Sequence, residues 1–331
     1  MKLSIGIVGL PNVGKSTLFK LLTQQDITIA NYPFATIDPN IGVVAVPDER
    51  LDKLTKISNS AKRIPAVVEF YDIAGLVKGA SAGEGLGNQF LTHIRDCQAI
   101  VMAVRVFHDD NIIHVHDSVD PLRDIDIIES ELALKDLETI EKRLKKAEGE
   151  AKTGDKKAKA AVEILQTALI KLNNGELLQD LASEEIIKEL MLLTSKKQLF
   201  LFNGDESDVS EKVKNKVKSI GSDYVAMNLA SASELAPLIQ KAYEVLNLMS
   251  FFTTGETESR AWTIEKGAKA PQAAGVIHTD FEKKFIRAEV INTDKLLEAG
   301  GWNQAKQKGW LRLEGKEYVV QDGDVMVIRH G

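Results

Sequence analysis

The apolar positions change their spacing twice along the 331 residues. Up to about residue 125, short apolar runs alternate with stretches of helical period. "KLSIGIVGL", "IGVVAV", "PAVVEFYDIAG" and "AIVMAVRVF" read as strands, and "KSTLFKLLTQQ" after the first reads as a helix. Strand, loop, helix, strand predicts a mostly parallel α/β sheet. From about Asp126 to Lys197 the period is helical throughout. Leu137, Ile140, Leu144 and Ala147 step by three and four, as do Ala161, Leu165, Ala168 and Leu172. Each set therefore shares one helix face. Between them "GEAKTGDKKAK" carries two glycines and many charges, as a turn does. The prediction is a long antiparallel helical hairpin inserted into the α/β domain. "KKQLFLFNGDES" and "DYVAMNLASASELAPLIQKAYEVL" resume the strand–loop–helix pattern and complete the sheet. From about Ser250 the strand candidates are short and broken by Gly and Asp, with one helical piece, "DKLLEAGGWNQAKQ". That predicts a small, mixed, strand-rich domain. The expected layout is 1–125 with 198–249 as the α/β domain, 126–197 as the hairpin, and 250–331 as the tail domain.

Charge and composition narrow the function classes. The formal net charge is -6, so gross charge gives no argument for nucleic acid, and no DNA partner is expected. The balance is local: Lys142 to Lys159 holds eight basic and three acidic residues. Such a run is either a solvated helical face or a contact with RNA phosphates. No apolar run approaches the ~18 residues of a membrane span, so no membrane partner is expected. "MKLSIGIVGL" reads as a buried strand in place of a signal peptide. The single cysteine, Cys97, permits no intramolecular disulfide and suits a cytoplasmic location. It lies beside an apolar run and reads as an inert packing residue.

The chemistry begins at Gly9. A strand running into Gly9-x-x-x-x-Gly14-Lys15-Ser16 and on into a helix is a complete phosphate-loop pattern in its confirming context. The glycines let successive N–H groups of Asn12, Val13 and Gly14 turn inward, and the helix adds its positive end. Lys15 is expected on the β- and γ-phosphates, the Ser16 hydroxyl on Mg²⁺, and the Thr17 N–H on the α-phosphate side. "YDIAG" supplies Asp72, which holds Mg²⁺ through water, and Gly75, whose N–H meets the γ-phosphate. Between these motifs, Thr36 in "NYPFATIDPN" is the candidate second Mg²⁺ ligand. The constellation is that of a switch NTPase.

"GLPNVGKSTLF", "NYPFATIDPNIGVVAVPD", "DIAGLVKGASAGEGLGNQFL" and "AWTIEKGAKAPQAAGVIHTDFEKKFIRAEV" resemble the YchF/Obg-like ATPase family along nearly the whole chain. The resemblance implies a P-loop GTPase-type domain, a helical insertion and a C-terminal TGS domain of β-grasp type. It further implies binding to the ribosome, notably the large subunit, and hydrolysis of ATP in preference to GTP.

GTPases usually carry Asn-Lys-x-Asp after a strand, and the Asp accepts two hydrogen bonds from guanine. Here the position reads Asn203-Gly204-Asp205-Glu206. The acid is one methylene longer, guanine loses its paired acceptor, and the loss of a polar pair is a large discrimination factor. Asn203, the Gly204 backbone and Glu206 are the expected adenine contacts, with Asp205 as the alternative acid. "LASASE" resembles the loop that closes over the base, which makes Ser231 and Ala232 candidates. Many switch GTPases place a water-orienting Gln after Asp-x-x-Gly; here it is Leu76. Of His108, His114 and His116, position in the family loop favours His114 for the catalytic role. Asn12 resembles the phosphate-loop Asn of potassium-activated relatives and is the candidate K⁺ ligand.

The chain departs from the family in the short segment "ELAPLIQKAYEVLNLMS" before "FFT". Trp302 and Trp310 either stack on RNA bases or pack within the tail domain. Two functions remain open on sequence alone: an ATPase switch on the ribosome, or a nucleotide-stabilised ribosome or RNA binder with negligible turnover. A GTPase of the same class is the third.

Overall fold

The structure, a computed structural model, describes residues 4–23, 41–72, 94–109, 112, 114–115, 118–232 and 234–331, with Asp72 in its backbone alone. The first seven strands are β1 (Ser4–Val8), β2 (Ile41–Ala45), β3 (Lys62–Ile64), β4 (Val67–Asp72), β5 (Ala99–Arg105), β6 (Lys197–Asn203) and β7 (Asp223–Met227). The remaining five are β8 (Leu248–Thr254), β9 (Glu258–Glu265), β10 (Phe285–Asn292), β11 (Arg312–Glu314) and β12 (Asp324–His330). The described residues divide into two compact units, one drawn from 4–23, 41–42 and those between 69 and 238, the other from 43–68 and 239–331.

The sheet of the first unit has the order β2-β4-β1-β5-β6-β7. β1 lies parallel to β4 and β5, and β6 is parallel to β5 and β7. Every residue of β1 and of β5 is buried, as strands covered on both faces require. Helix α1 (Lys15–Thr23) follows β1 at once and sinks Leu18 and Leu22. Helix α2 (Glu49–Ile57) belongs to the second unit; the Asp48 side chain caps it by accepting from the Arg50 N–H at 3.0 Å.

The hairpin expected from the three–four periodicity is present as α3 (Pro121–Ala151) and α4 (Lys156–Asn173). Asp120 and Pro121 start α3, and Asp155 caps α4 by accepting from the N–H groups of Lys157 and Ala158. These are strong N-terminal signals. At 31 residues α3 is about 46 Å long. Its first turns bury Ile125, Ile128 and Leu132 against Phe200 and Phe202 of the sheet core. Further on, Ile140 and Ala147 pack with Ala161, Leu165, Ala168 and Leu172 in a second core. Asp136 ties the helix to the approach to β6, accepting from the N–H groups of Leu193 (3.0 Å) and Thr194 (2.8 Å) and from the Thr194 hydroxyl (2.7 Å).

Helices α5 (Glu185–Leu190), α6 (Glu211–Ser219) and α7 (Ala236–Val245) complete the series before β8. The second unit carries the sheet β11-β10-β12-β8-β9-β3. β8 and β9 form an antiparallel hairpin, β12 runs parallel beside β8, and β10 is antiparallel to β12 and β11. That is the strand order of a β-grasp domain. Helix α8 (Ala270–Ile277) buries Ala270, Ala273 and Ala274 in its core with Phe251, Phe285 and Val290.

The unit boundary differs from the sequence-based layout. β3 adds in parallel to β9, Lys62 opposite Glu258 and Ile64 opposite Arg260, so residues 43–68 join the second unit. The hairpin clusters with the sheet domain because α3 runs unbroken from one core to the other. Cys97 is buried, and burial pushes its thiol up to about 12. No helix among the described residues is long and apolar enough to cross a membrane.

Candidate functional site

The loops at the carboxyl ends of four strands enclose one cavity of about 530 Å³, within the ~300–1,000 Å³ of ordinary ligand sites. The β1–α1 loop and the start of α1 contribute Asn12, Gly14, Lys15, Ser16 and Thr17. The segment after β5 adds Phe107, His108, Asp109 and Ile112. Asn203 ends β6, and Asn228, Leu229 and Ala230 follow β7. Carboxyl ends of parallel strands beside a switch in strand order are where open α/β sheets bind ligands.

The loop geometry explains its glycines. Gly9 runs so close to the Ala103 carbonyl of β5 that a Cβ would overlap it. Gly14 sits at φ +102°, and a Cβ there would press into the Asn203 amide. Asn12 is also left-handed, at φ 62°. Lys15 is only 7% exposed, and its Nζ donates to the Leu10 carbonyl at 2.6 Å. Its ammonium therefore stays with the loop, where a phosphate oxygen competes with a neutral carbonyl for it. Ser16 and Thr17 are exposed at the start of α1, where helix N–H groups and the dipole favour an anion.

Asn203 joins two walls. Its Nδ2 donates to the Val13 carbonyl at 2.9 Å, and its Oδ1 accepts from the Leu229 N–H at 3.1 Å. By valence one amide hydrogen and one oxygen lone pair remain. The Asn203 carbonyl takes the Val106 N–H (3.0 Å), and the Gly204 N–H donates to Met227 O (3.2 Å). Arg105, opposite Asn203 in the ladder and 1% exposed, holds the third wall. It donates to the carbonyls of Phe107 (3.1 Å), Ile112 (2.9 Å) and Asp109 (3.0 Å), and its guanidinium lies 4.3 Å over the Phe107 ring.

The expected residues do not all meet here. Asn12, Gly14, Lys15, Ser16, Thr17 and Asn203 line the cavity, and Val13 is buried behind them. Thr36, Gly75, Leu76 and His116 lie outside the described residues, and of Asp72 only its place at the end of β4, opposite Ile7, is described. Glu206 does not line the cavity; its carboxylate accepts from Tyr224 and Lys214. Lys214 is the main cause that pulls its pKa below the usual range. Ser231 and Ala232 fall just beyond the lining segment 228–230, and Ser231 N–H closes a turn on the Asn228 carbonyl at 3.2 Å. His114 is buried away from the cavity lining, its Nε2 2.8 Å from Asp124 at the start of α3, while His108 lines the cavity. Phe107, Asp109, Ile112 and Asn228 had no motif to announce them, whereas Leu229 and Ala230 open the "LASASE" stretch. Arg105 had one faint signal, a cation closing an otherwise apolar strand. Among the described residues no group of three or more His, Cys, Asp or Glu is arranged to hold a metal ion.

Sequence comparison then decides the family. The curated "Ribosome-binding ATPase YchF" of Bacillus subtilis is 46% identical, over 99% of each chain. That of Escherichia coli O157:H7 is also 46% identical, over 98% of each. The chain belongs to the YchF family. A family model described as 50S ribosome-binding GTPase matches residues 4–143, and the YchF GTPase C-terminal model, described as a protein of unknown function, matches 248–331. The solved YchF GTPase of Schizosaccharomyces pombe superposes with a TM-score of 0.84 at 40% identity, covering 99% of this chain and 98% of that one. The first unit is thus a P-loop GTPase fold. The Bacillus subtilis YchF alignment runs over 363 positions, more than the 331 residues here. In this chain α7 reaches β8 across Leu246 and Asn247 alone.

Proposed function

We propose that the cavity binds ATP and that the chain hydrolyses it to ADP and phosphate, as a Mg²⁺-dependent switch sensed by the large ribosomal subunit. The observation that carries this is the buried Lys15 ammonium, which lines the cavity together with Asn12, Gly14, Ser16 and Thr17 of the same loop and helix start. Phosphoryl transfer is mainly positioning and charge stabilisation. Water attacks the γ-phosphorus, the bond to the β–γ bridging oxygen breaks, ADP leaves with the electron pair, and the proton lost by the water passes through a phosphate oxygen to bulk solvent. Lys15 and the N–H groups at the start of α1 face the charge that builds on those oxygens.

The donor set fits Mg²⁺: one hydroxyl, from Ser16, with phosphate oxygens and water for the rest. When bound, the ion would neutralise charge that develops on the phosphate oxygens. Thr36 and Asp72, through water, are proposed to complete its shell, and the exposed Asn12 to hold K⁺. His114 is buried and outside the cavity lining, so a water-orienting role requires it to come to the cavity, which favours slow basal turnover. The free capacity of Asn203, one donor and one acceptor, suits the amino group and ring nitrogen of adenine. Phe107, braced by Arg105, offers a flat face for the base. Seven lysines of the hairpin tip, Lys142, Lys145, Lys146, Lys152, Lys156, Lys157 and Lys159, are exposed and suit rRNA phosphates.

The test is a competition titration against a fluorescent ATP analogue, followed by phosphate release with and without large ribosomal subunits. ATP should bind at least about tenfold tighter than GTP, and the subunits should accelerate release. Equal or tighter GTP binding overturns the ATP assignment. Turnover that is negligible with and without the subunits leaves a nucleotide-stabilised ribosome binder.

A further inference from the structure

Glu206 occupies the position at which GTPases present a carboxylate to guanine, yet it does not line the cavity. Its Oε1 accepts from the Tyr224 hydroxyl at 2.8 Å and from Lys214 Nζ at 2.9 Å. Both partners are fixed from below. Tyr224 lies on β7 with its ring 5.5 Å from that of the fully buried Phe202. Lys214 lies on α6 between Val213 and Val217, which are both in the core, and Ser210 caps that helix through the Val213 N–H. The backbone beneath Glu206 is a tight turn, closed by Asp208 N–H on the Asp205 carbonyl (2.9 Å) and by Asp205 N–H on the Asp208 carboxylate (3.0 Å).

We propose that Lys214 and Tyr224 are specificity-determining residues: they hold the Glu206 carboxylate outside the cavity, deny guanine its paired acceptor, and leave purine choice to Asn203. Guanine needs two acceptor sites for its ring N–H and amino group. A carboxylate with one oxygen already taking two donors supplies them only after those donors let go. The inference rests on the cavity binding a nucleoside triphosphate. Glu206 is more than half exposed, and an exposed ion pair is individually weak, so the effect needs both donors and is moderate in size.

Competition titrations with ATP and GTP on Lys214→Ala, Tyr224→Phe and the double variant test this. Each is repeated in a Glu206→Gln background to close the cycle. The double variant should raise GTP affinity relative to ATP by about three- to tenfold, and each single variant by about two- to threefold. With Glu206→Gln the same changes should move the ratio by less than about twofold. The single variants decide the matter if the double variant folds poorly. An unchanged ratio, or an equal shift in both backgrounds, overturns the inference while leaving ATP binding intact. Failure of the unaltered chain to bind either nucleotide overturns the proposed function itself.

Discussion

The two six-stranded sheets use their buried polar side chains in different ways. In the first unit, Lys15, Arg105 and Asn203 are buried where parallel strands end, and each bonds the backbone of a loop that lines the cavity. In the second unit, buried polar groups close strands and turns on one another. Thr293 donates to the Gly323 carbonyl (2.6 Å), and Asp324 accepts from Tyr318 (2.6 Å) and the Gln321 N–H (2.9 Å). Topology is the cause. Parallel strands bring their carboxyl ends to one edge, where loop backbone lacks ladder partners and side chains must hold it. Hairpins and a mixed sheet satisfy their own ends locally. A polar defect at these strand ends of the first unit should therefore reach the ligand, whereas one in the second unit should reach stability alone.

The largest effect expected is at Lys15. Its bond to Leu10 is internal to the loop, so Lys15→Ala removes little packing but takes the ammonium away from the phosphates. Phosphate release should fall by about a hundredfold or more, while the thermal midpoint shifts by less than about 4 °C. A loss of activity matched by a large loss of stability would erase the contrast. Next comes Arg105→Met, which takes the guanidinium donor from three loop carbonyls. Unfolding in urea should show a loss of about 3 kcal/mol, and ATP affinity should weaken by about tenfold. Intact affinity in a destabilised protein would show that this wall is not set by Arg105.

These two residues also show how far the sequence carries. Lys15 was legible because a phosphate loop is local: strand, glycines, cation and helix fall within 20 residues. The hairpin was legible because its apolar period persists for about three turns on each side. Arg105 and the walls it supports were not, because which carbonyls a strand-end cation meets depends on loops that have no period. The placement of β3 was hidden for a related reason: three residues, Lys62–Ile64, carry no mark of the sheet they join. Asn203 was found by motif, but its bonds to Val13 and Leu229 cross 190 and 26 residues, beyond any local pattern.

The smallest effect sharpens the comparison from the other side. Tyr243 is buried in the second unit, its hydroxyl donating to Thr263 Oγ1 at 2.6 Å, and burial pushes its phenol up to about 12. The folded pKa lies above the ~10 of an unfolded chain. The neutral phenol therefore contributes stability fully below pH 10, and the contribution fades as pH climbs from 10 through 12, where the unfolded chain releases its proton first. Tyr243→Phe should cost about 1 kcal/mol at pH 8 through the lost hydrogen bond, and should flatten the fall of unfolding free energy between pH 10 and 12 by up to about one proton. Cys97 adds an alkaline loss of its own that begins lower, near pH 9, and it cancels when variant and parent are subtracted. ATP affinity at pH 8 should not move. If it does, the hydroxyl network of the second unit is not self-contained, and the division of labour between the two sheets fails where it should be strictest.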